Sequence, residues 1–246
     1  MLFRIVTLVG LLAWAGVASA QSGKGGEGGI AVESKGRGDE PGENGRFEED
    51  WERIAYLDEL ENEILREQNL ARTKPRRYAS FLEELVRHFR GNLFERPGRI
   101  AIQTNEGARA VREAIAFLRD VDEVSPLSVS RGMSMGARDH VHEQGPTGQT
   151  GHVGSDRSQP WERINRYGQW QVGVAENISY GSDEARQVVM QLIVDDGVPG
   201  RGHRTTIFEP AYTVTGVDCG YHSRYEVMCV ITYAGSYIEG GGDPGG

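Results

Sequence analysis

Two of the six histidines in this 246-residue chain stand where imidazole chemistry could be used. His152 lies in Gly151-His152-Val153-Gly154 and His203 in Gly202-His203-Arg204. Both are in glycine-bracketed turns rather than on helix faces, and glycine lets a backbone bend sharply and come close to other elements. Between them, Ala175-Glu176-Asn177-Ile178 supplies a carboxylate. A neutral imidazole is a good ligand for zinc or copper, and Glu176 could ligate the ion or orient a ring. Taken singly, each histidine reads more simply as a hydrogen-bonded structural residue. The combination points to a site.

Other arrangements are weaker. His140, His142 and Glu143 suggest a metalloprotease helix, but that chemistry needs two histidines four residues apart, on one face. Here they are two apart and point to different faces, which leaves a partly exposed helix end. Ser155 lies near His152, yet no G-x-S-x-G elbow is present to make it a hydrolase nucleophile. Asn177-Ile178-Ser179 is formally a glycosylation sequon.

The elements that must position these residues follow from periodicity. Trp51, Ile54, Leu57, Leu60, Ile64 and Leu65 recur at helical steps, and this helix should end before Pro75. Tyr78, Phe81, Leu82, Leu85, Val86 and Phe89 form the stripe of a second helix. Leu93-Phe94 and Ile100-Ala101-Ile102, flanking Pro97-Gly98, read as a short hairpin. Residues 106–121 are helical, as are residues 130–144, with Gly145 as the C-terminal cap. A loop over residues 145–160 carries His152, and a short helix starts near Pro160. Residues 170–180 alternate as a strand bearing Glu176, and residues 183–194 form an apolar helix that leads into the His203 turn. Helices followed by interleaved strands and helices predict an α+β domain.

The ends differ in character. Arg4, the uncharged apolar run of residues 5–17 and Ala18-Ser19-Ala20 read as a secretory signal peptide over residues 1–20. Residues 21–46 hold nine glycines and almost no large apolar side chain, as in a flexible linker. Residues 47–238 then form a single domain, and residues 239–246, with five glycines, a disordered tail. No segment reaches the roughly 20 apolar residues of a transmembrane helix. The net charge of −9 argues against a nucleic-acid partner. Cys219 and Cys229 stand in strand-like runs on either side of a turn, and an exported protein would join them as a disulfide.

Gly151-His152, Glu176-Asn177-Ile178 and Gly202-His203-Arg204, in this order and separation, resemble the CAP superfamily, the SCP-like secreted proteins that include cysteine-rich secretory proteins, antigen 5 and plant pathogenesis-related proteins. Arg163-Ile164-Asn165-Arg166-Tyr167-Gly168 resembles the R-x-x-x-x-G segment of bacterial members. Gly216-Val217 and Ile231-Thr232-Tyr233 resemble their closing strands. The likeness covers about residues 63–236, with residues 76–118 as an insertion. It implies a three-layer αβα sandwich with an open cleft holding two histidines and up to two acids. By motif these are His152, His203 and Glu176. The second acid falls in Leu192-Ile193-Val194-Asp195-Asp196, at Asp195 or, one residue on, Asp196. The resemblance also implies zinc on His152 and His203. Thr206 stands where many bacterial relatives have Asn, and Leu192 where Trp is common.

The function this implies is a secreted binding module for a divalent metal, a lipid or a cell-envelope ligand. A metal-assisted hydrolase with Glu176 or Asp195 as general base is the enzymatic alternative. A purely structural polar cluster is the third.

Overall fold

Alternation along the last strand decides the architecture. In β8 (Glu226–Glu239), Met228, Val230 and Ala234 face one side, while Cys229, Ile231 and Tyr233 face the other. All six are buried. A strand that is apolar on both faces needs cover on both faces. The computed structural model, which describes residues 53–98 and 101–240 and the backbone of Val6–Thr7 (β1), supplies it.

The central sheet has the order β5 (Ser128–Val129), β7 (Val214–His222), β8, β6 (Gly168–Tyr180). β8 pairs antiparallel with both long neighbours, and the short β5 runs parallel to β7. On one face lie α4 (Arg131–Thr147) and α5 (Pro160–Ile164), packed on Met228, Val230 and Ala234 through Ala137, Val141, Met133 and Ile164. On the other lie α1 (Glu59–Thr73) and α6 (Ala185–Val194). The expected α+β, three-layer αβα sandwich is therefore observed. α2 (Pro75–Val86) and α3 (Ala108–Asp120) extend the second layer around the same core. Between them, β2 (Phe89–Arg90), β3 (Leu93–Phe94) and β4 (Ile102–Gln103) form a small antiparallel sheet, and β1 lies parallel to β4.

Close packing of α4 on the sheet depends on Gly216. A Cβ there would lie 2.3 Å from the backbone of Met133 and Ser134. Beyond its pairing with β5, the outer edge of β7 is satisfied by side chains, because Val217 N–H donates to Ser134 Oγ and Cys219 N–H to Glu61 Oε1. Cys219 and Cys229 sit directly opposite each other across β7 and β8 and form the expected disulfide.

The same edge holds Asp218, whose pKa is pushed from 3.8 to about 7 by burial first and by the neighbouring Glu61 next. Between these two values the folded chain holds a proton that the unfolded chain has released. Stability therefore falls as pH rises through that window and stays low above it. Asp218→Asn should stabilise the domain by about 1–3 kcal/mol at about pH 8 and by nothing measurable at about pH 4, after allowance for partial exposure. Urea denaturation at the two pH values checks this, and an equal effect at both would refute it.

Several boundaries differ from expectation. α4 does not stop at Gly145. It runs through Gly145 and Pro146 and is closed by Gly148 in the left-handed conformation. The Gly145 carbonyl accepts from Ser223 N–H, so the hairpin between β7 and β8 secures this last turn. Phe89 lies in β2 rather than on the α2 stripe. β8 extends through Glu239, whose carboxylate accepts from Ser130 Oγ and Gly132 N–H at the start of α4. That anchors the first residue of the stretch read as a tail. The signal-peptide and linker segments lie outside the described residues, apart from the β1 backbone.

Candidate functional site

His152 is set by three elements. Gly151, at φ 109, turns the chain out of the loop after α4. Glu176 reaches it from β6, with His152 Nδ1 2.9 Å from Glu176 Oε1. Arg163 of α5 completes the group. It donates to Glu176 Oε2 at 2.8 Å and to the carbonyls of His152 and Ser158, each at 3.0 Å. The side chains of Arg163 and Glu176 are both 1% exposed. Burial pushes the Glu176 carboxyl up, but His152 and Arg163 outweigh it, and the net pKa is lowered. Both carboxylate oxygens are thus engaged, and Glu176 holds the ring instead of offering a free base.

His203 is held in the same manner by an acid of its own. Its Nδ1 is 2.6 Å from Asp195 Oδ1, and its backbone N–H donates to Asp195 Oδ2 at 2.9 Å. Asp195 closes α6 in the left-handed conformation, which Asp tolerates better than most residues. His203 is not in an open turn. It is the second residue of the short helix α7 (Gly202–Ile207), and Asp195 satisfies one of the free N–H groups of that helix. Asp196 is turned away, accepting from Asn105 and Glu106 N–H before α3. The choice between the two acids therefore falls on Asp195. Asn177 donates to the His203 carbonyl at 3.1 Å, which ties β6 to α7.

A second set of residues supports this pair, and it includes His140 and Glu143, which the sequence reading set aside as a partly exposed helix end. His140 is fully buried in α4 and is not at an exposed end. Its Nε2 lies 2.8 Å from the Gly151 carbonyl and its Nδ1 2.8 Å from Glu143 Oε1. Both partners are oxygen acceptors, one a carboxylate and one a backbone carbonyl. The Glu143 carboxyl, raised by burial but lowered more by His140 and Ser155, stays below its ordinary pKa. Gln144 Nε2 also donates to the Gly151 carbonyl, and Tyr180 OH donates to Gln144 Oε1 while accepting from Gly151 N–H. Arg201 bridges Glu106 and Glu113 and donates to the Asp195 carbonyl. Arg163 had a sequence signal as the first residue of the R-x-x-x-x-G segment, and His140 and Glu143 had one only as a metalloprotease-like pattern of the wrong spacing. The others are brought in by packing.

His152 and His203 line one cavity of about 250 Å³. Their side chains are 21% and 16% exposed. With Nδ1–H given to a carboxylate, each ring presents its Nε2 lone pair as the free nitrogen. Most of the remaining lining is apolar and includes Leu85, Phe89, Phe94, Ile178, Met190 and Leu192. The imidazoles match two of the three or four protein ligands that zinc takes. Among the described residues no group of three or more His, Cys, Asp or Glu is placed to hold a metal ion. No helix among the described residues is long and apolar enough to cross a membrane.

The model of the cysteine-rich secretory protein family, CAP, matches residues 112–233. No curated protein shows significant sequence similarity to the chain. Two solved structures are similar. One is an outer surface protein of Borrelia burgdorferi, with 16% identity, a TM-score of 0.39, and coverage of 45% of this chain and 78% of that one. The other is an extracellular protein containing an SCP domain from Bacillus anthracis, with 15% identity, a TM-score of 0.38, and coverage of 50% of this chain and 38% of that one.

Proposed function

Because residues 112–233 belong to the cysteine-rich secretory protein family, CAP, we propose that the chain is a secreted, non-catalytic binding module whose site is the cleft between His152 and His203. The observation that carries this is the pairing of two anchored imidazoles with an apolar cavity. Each ring is fixed through Nδ1, and both open onto the same largely apolar space. Concave, mostly apolar pockets with a few fixed polar groups are the usual form of small-molecule sites. The chemistry fits an amphiphile, a lipid or a lipid-like cell-envelope component, with a polar group at the imidazoles. The Cys219–Cys229 disulfide supports export to an oxidising compartment.

The hydrolase reading is less favoured by the same geometry. Glu176 spends both oxygens on His152 and Arg163, and Asp195 spends both on His203. Each of these oxygens already accepts a hydrogen bond from the residue it positions, and the lowered Glu176 pKa makes that carboxylate a weaker base. A zinc ion would use His152 Nε2 and His203 Nε2, with solvent or ligand completing its shell, and two protein ligands make such binding weak.

Calorimetry on wild type, His152→Ala and His203→Ala tests the reading. We expect a medium-chain amphiphile to bind wild type and to lose about tenfold or more in each variant, equivalent to about 1.4 kcal/mol. Zinc should bind no tighter than about micromolar and release on loss of either ring. An amphiphile that binds all three proteins equally would remove the cleft from the account. Turnover of ester or peptide substrates that depends on both histidines would replace the binding reading with the enzymatic one.

A further inference from the structure

One wall of the cleft comes from a segment ahead of the family-matched stretch. Leu85 near the end of α2, Phe89 of β2, Phe94 of β3 and Ile102 of β4 all line the cavity and all precede residue 112. The Phe89 and Phe94 rings pack with centroids 4.9 Å apart and planes tilted by 41°, which gives this wall an aromatic surface. Arg96 follows two residues after the end of β3. Among the described residues it is the one Lys or Arg side chain lining the cavity.

The charges around Arg96 are unequal in their commitments. Asp195 and Asp196, the acidic side chains that line the cavity, are already held by His203 and by the N–H groups of Asn105 and Glu106. Arg96 meets Glu184 only at 3.9 Å, and the same Glu184 oxygen also accepts from Gln187 Nε2. Its guanidinium lies 5.9 Å from the Phe94 ring centroid, beside the apolar wall. A half-buried, weakly paired cation next to an apolar surface attracts a group that carries negative charge and a hydrocarbon body together.

We propose that Arg96 is a charge-selecting residue of the cleft, and that the segment from β2 to β4 seats the alkyl part of a single-chain anionic amphiphile. This rests on reading the cleft as an amphiphile site and adds its selectivity. The selecting element lies ahead of the stretch that the family model matches.

Decanoate, decanol and decyltrimethylammonium, titrated calorimetrically into the full-length chain, test the proposal. Wild type should bind decanoate about tenfold more tightly than decanol, and the cationic analogue most weakly. Arg96→Gln should bring decanoate to the level of decanol, leaving decanol affinity within about twofold and the melting temperature unchanged, since the pair to Glu184 is long. A preference for decanoate that persists in Arg96→Gln overturns the proposal, as does equal binding of all three ligands to wild type. In the latter case the cleft remains an amphiphile site without charge selection. If none of the three binds wild type, the amphiphile reading falls and the selectivity falls with it.

Discussion

Arg72→Met should lower the stability of the domain by about 3–5 kcal/mol, the scale seen when a buried polar network loses its centre. Arg72 is fully buried in α1. Its guanidinium donates to the carbonyls of Ser125, Ile207, Glu209 and Tyr212, at 2.8, 2.5, 3.2 and 2.8 Å. Every acceptor is a backbone carbonyl in the segments that enter β5 and leave α7. The Glu209 carbonyl also accepts from Tyr212 N–H, and arginine's planar fork reaches all four carbonyls at once. Met fills similar volume but returns no donor, so the buried Ile207 carbonyl and the part-buried carbonyls of Ser125 and Tyr212 lose theirs. Lys supplies a charge without the fork and should recover only part of the loss. Chemical denaturation of the three proteins measures the effect. A loss below about 1 kcal/mol for Met would show that water replaces the guanidinium without cost.

Glu176→Gln should cost a similar amount, about 3–5 kcal/mol near neutral pH, because it leaves the Arg163 charge buried without its carboxylate. Arg163 is held at 2.8 Å from Glu176 Oε2, with both side chains 1% exposed. The amide also cannot accept at both His152 and Arg163, so the His152 loop loosens. The pH dependence has a definite sign. The Glu176 pKa is lowered in the folded state. Its stabilising contribution is therefore complete above the ordinary carboxylate range and is lost as pH falls through the lowered value. The gap between wild type and Glu176→Gln should accordingly narrow at acid pH. The double variant Arg163→Met/Glu176→Gln should recover on the order of 2 kcal/mol relative to additivity, because both buried charges are then removed together. Additive losses, or a gap that widens toward acid, would place the stabilising role of Glu176 elsewhere.

Both predictions concern residues that reading the chain alone treats unequally. Glu176 is visible because Glu176-Asn177-Ile178 stands between two glycine-flanked histidines in a known order. Arg72 sits in a helix whose apolar stripe gives no hint that a cation is buried there. Helical periodicity locates α3, α6 and the end of α1 to within a few residues, since side-chain burial repeats with the geometry of the helix, but it starts α1 too early, because Ile54 and Leu57 pack on the core from the segment ahead of the Asp58 cap. It misplaces the end of α4, because Gly145 looks like a cap locally and becomes a helix interior only when Ser223 of the β7–β8 hairpin bonds its carbonyl. It also treats the His203 segment as an open turn, because the Asp195 carboxylate that starts α7 acts through space.

What the sequence determined by itself is the list of chemical groups and the family pattern that unites them: His152, Glu176 and His203, an acid at Asp195 or Asp196, a disulfide-capable pair, and an α+β order of elements. What only the tertiary structure decided is which atoms remain available. Asp195 rather than Asp196 meets His203, and both carboxylates are fully committed to positioning. His140 is a buried support rather than an exposed helix end. The segment from β2 to β4 becomes a wall of the cleft and carries Arg96 into it. The physical reason is range. Periodicity, capping and turn chemistry act over a few neighbouring residues, whereas a hydrogen bond across the sandwich joins residues far apart in sequence. Its donor and acceptor are set by packing, not by the residues beside them.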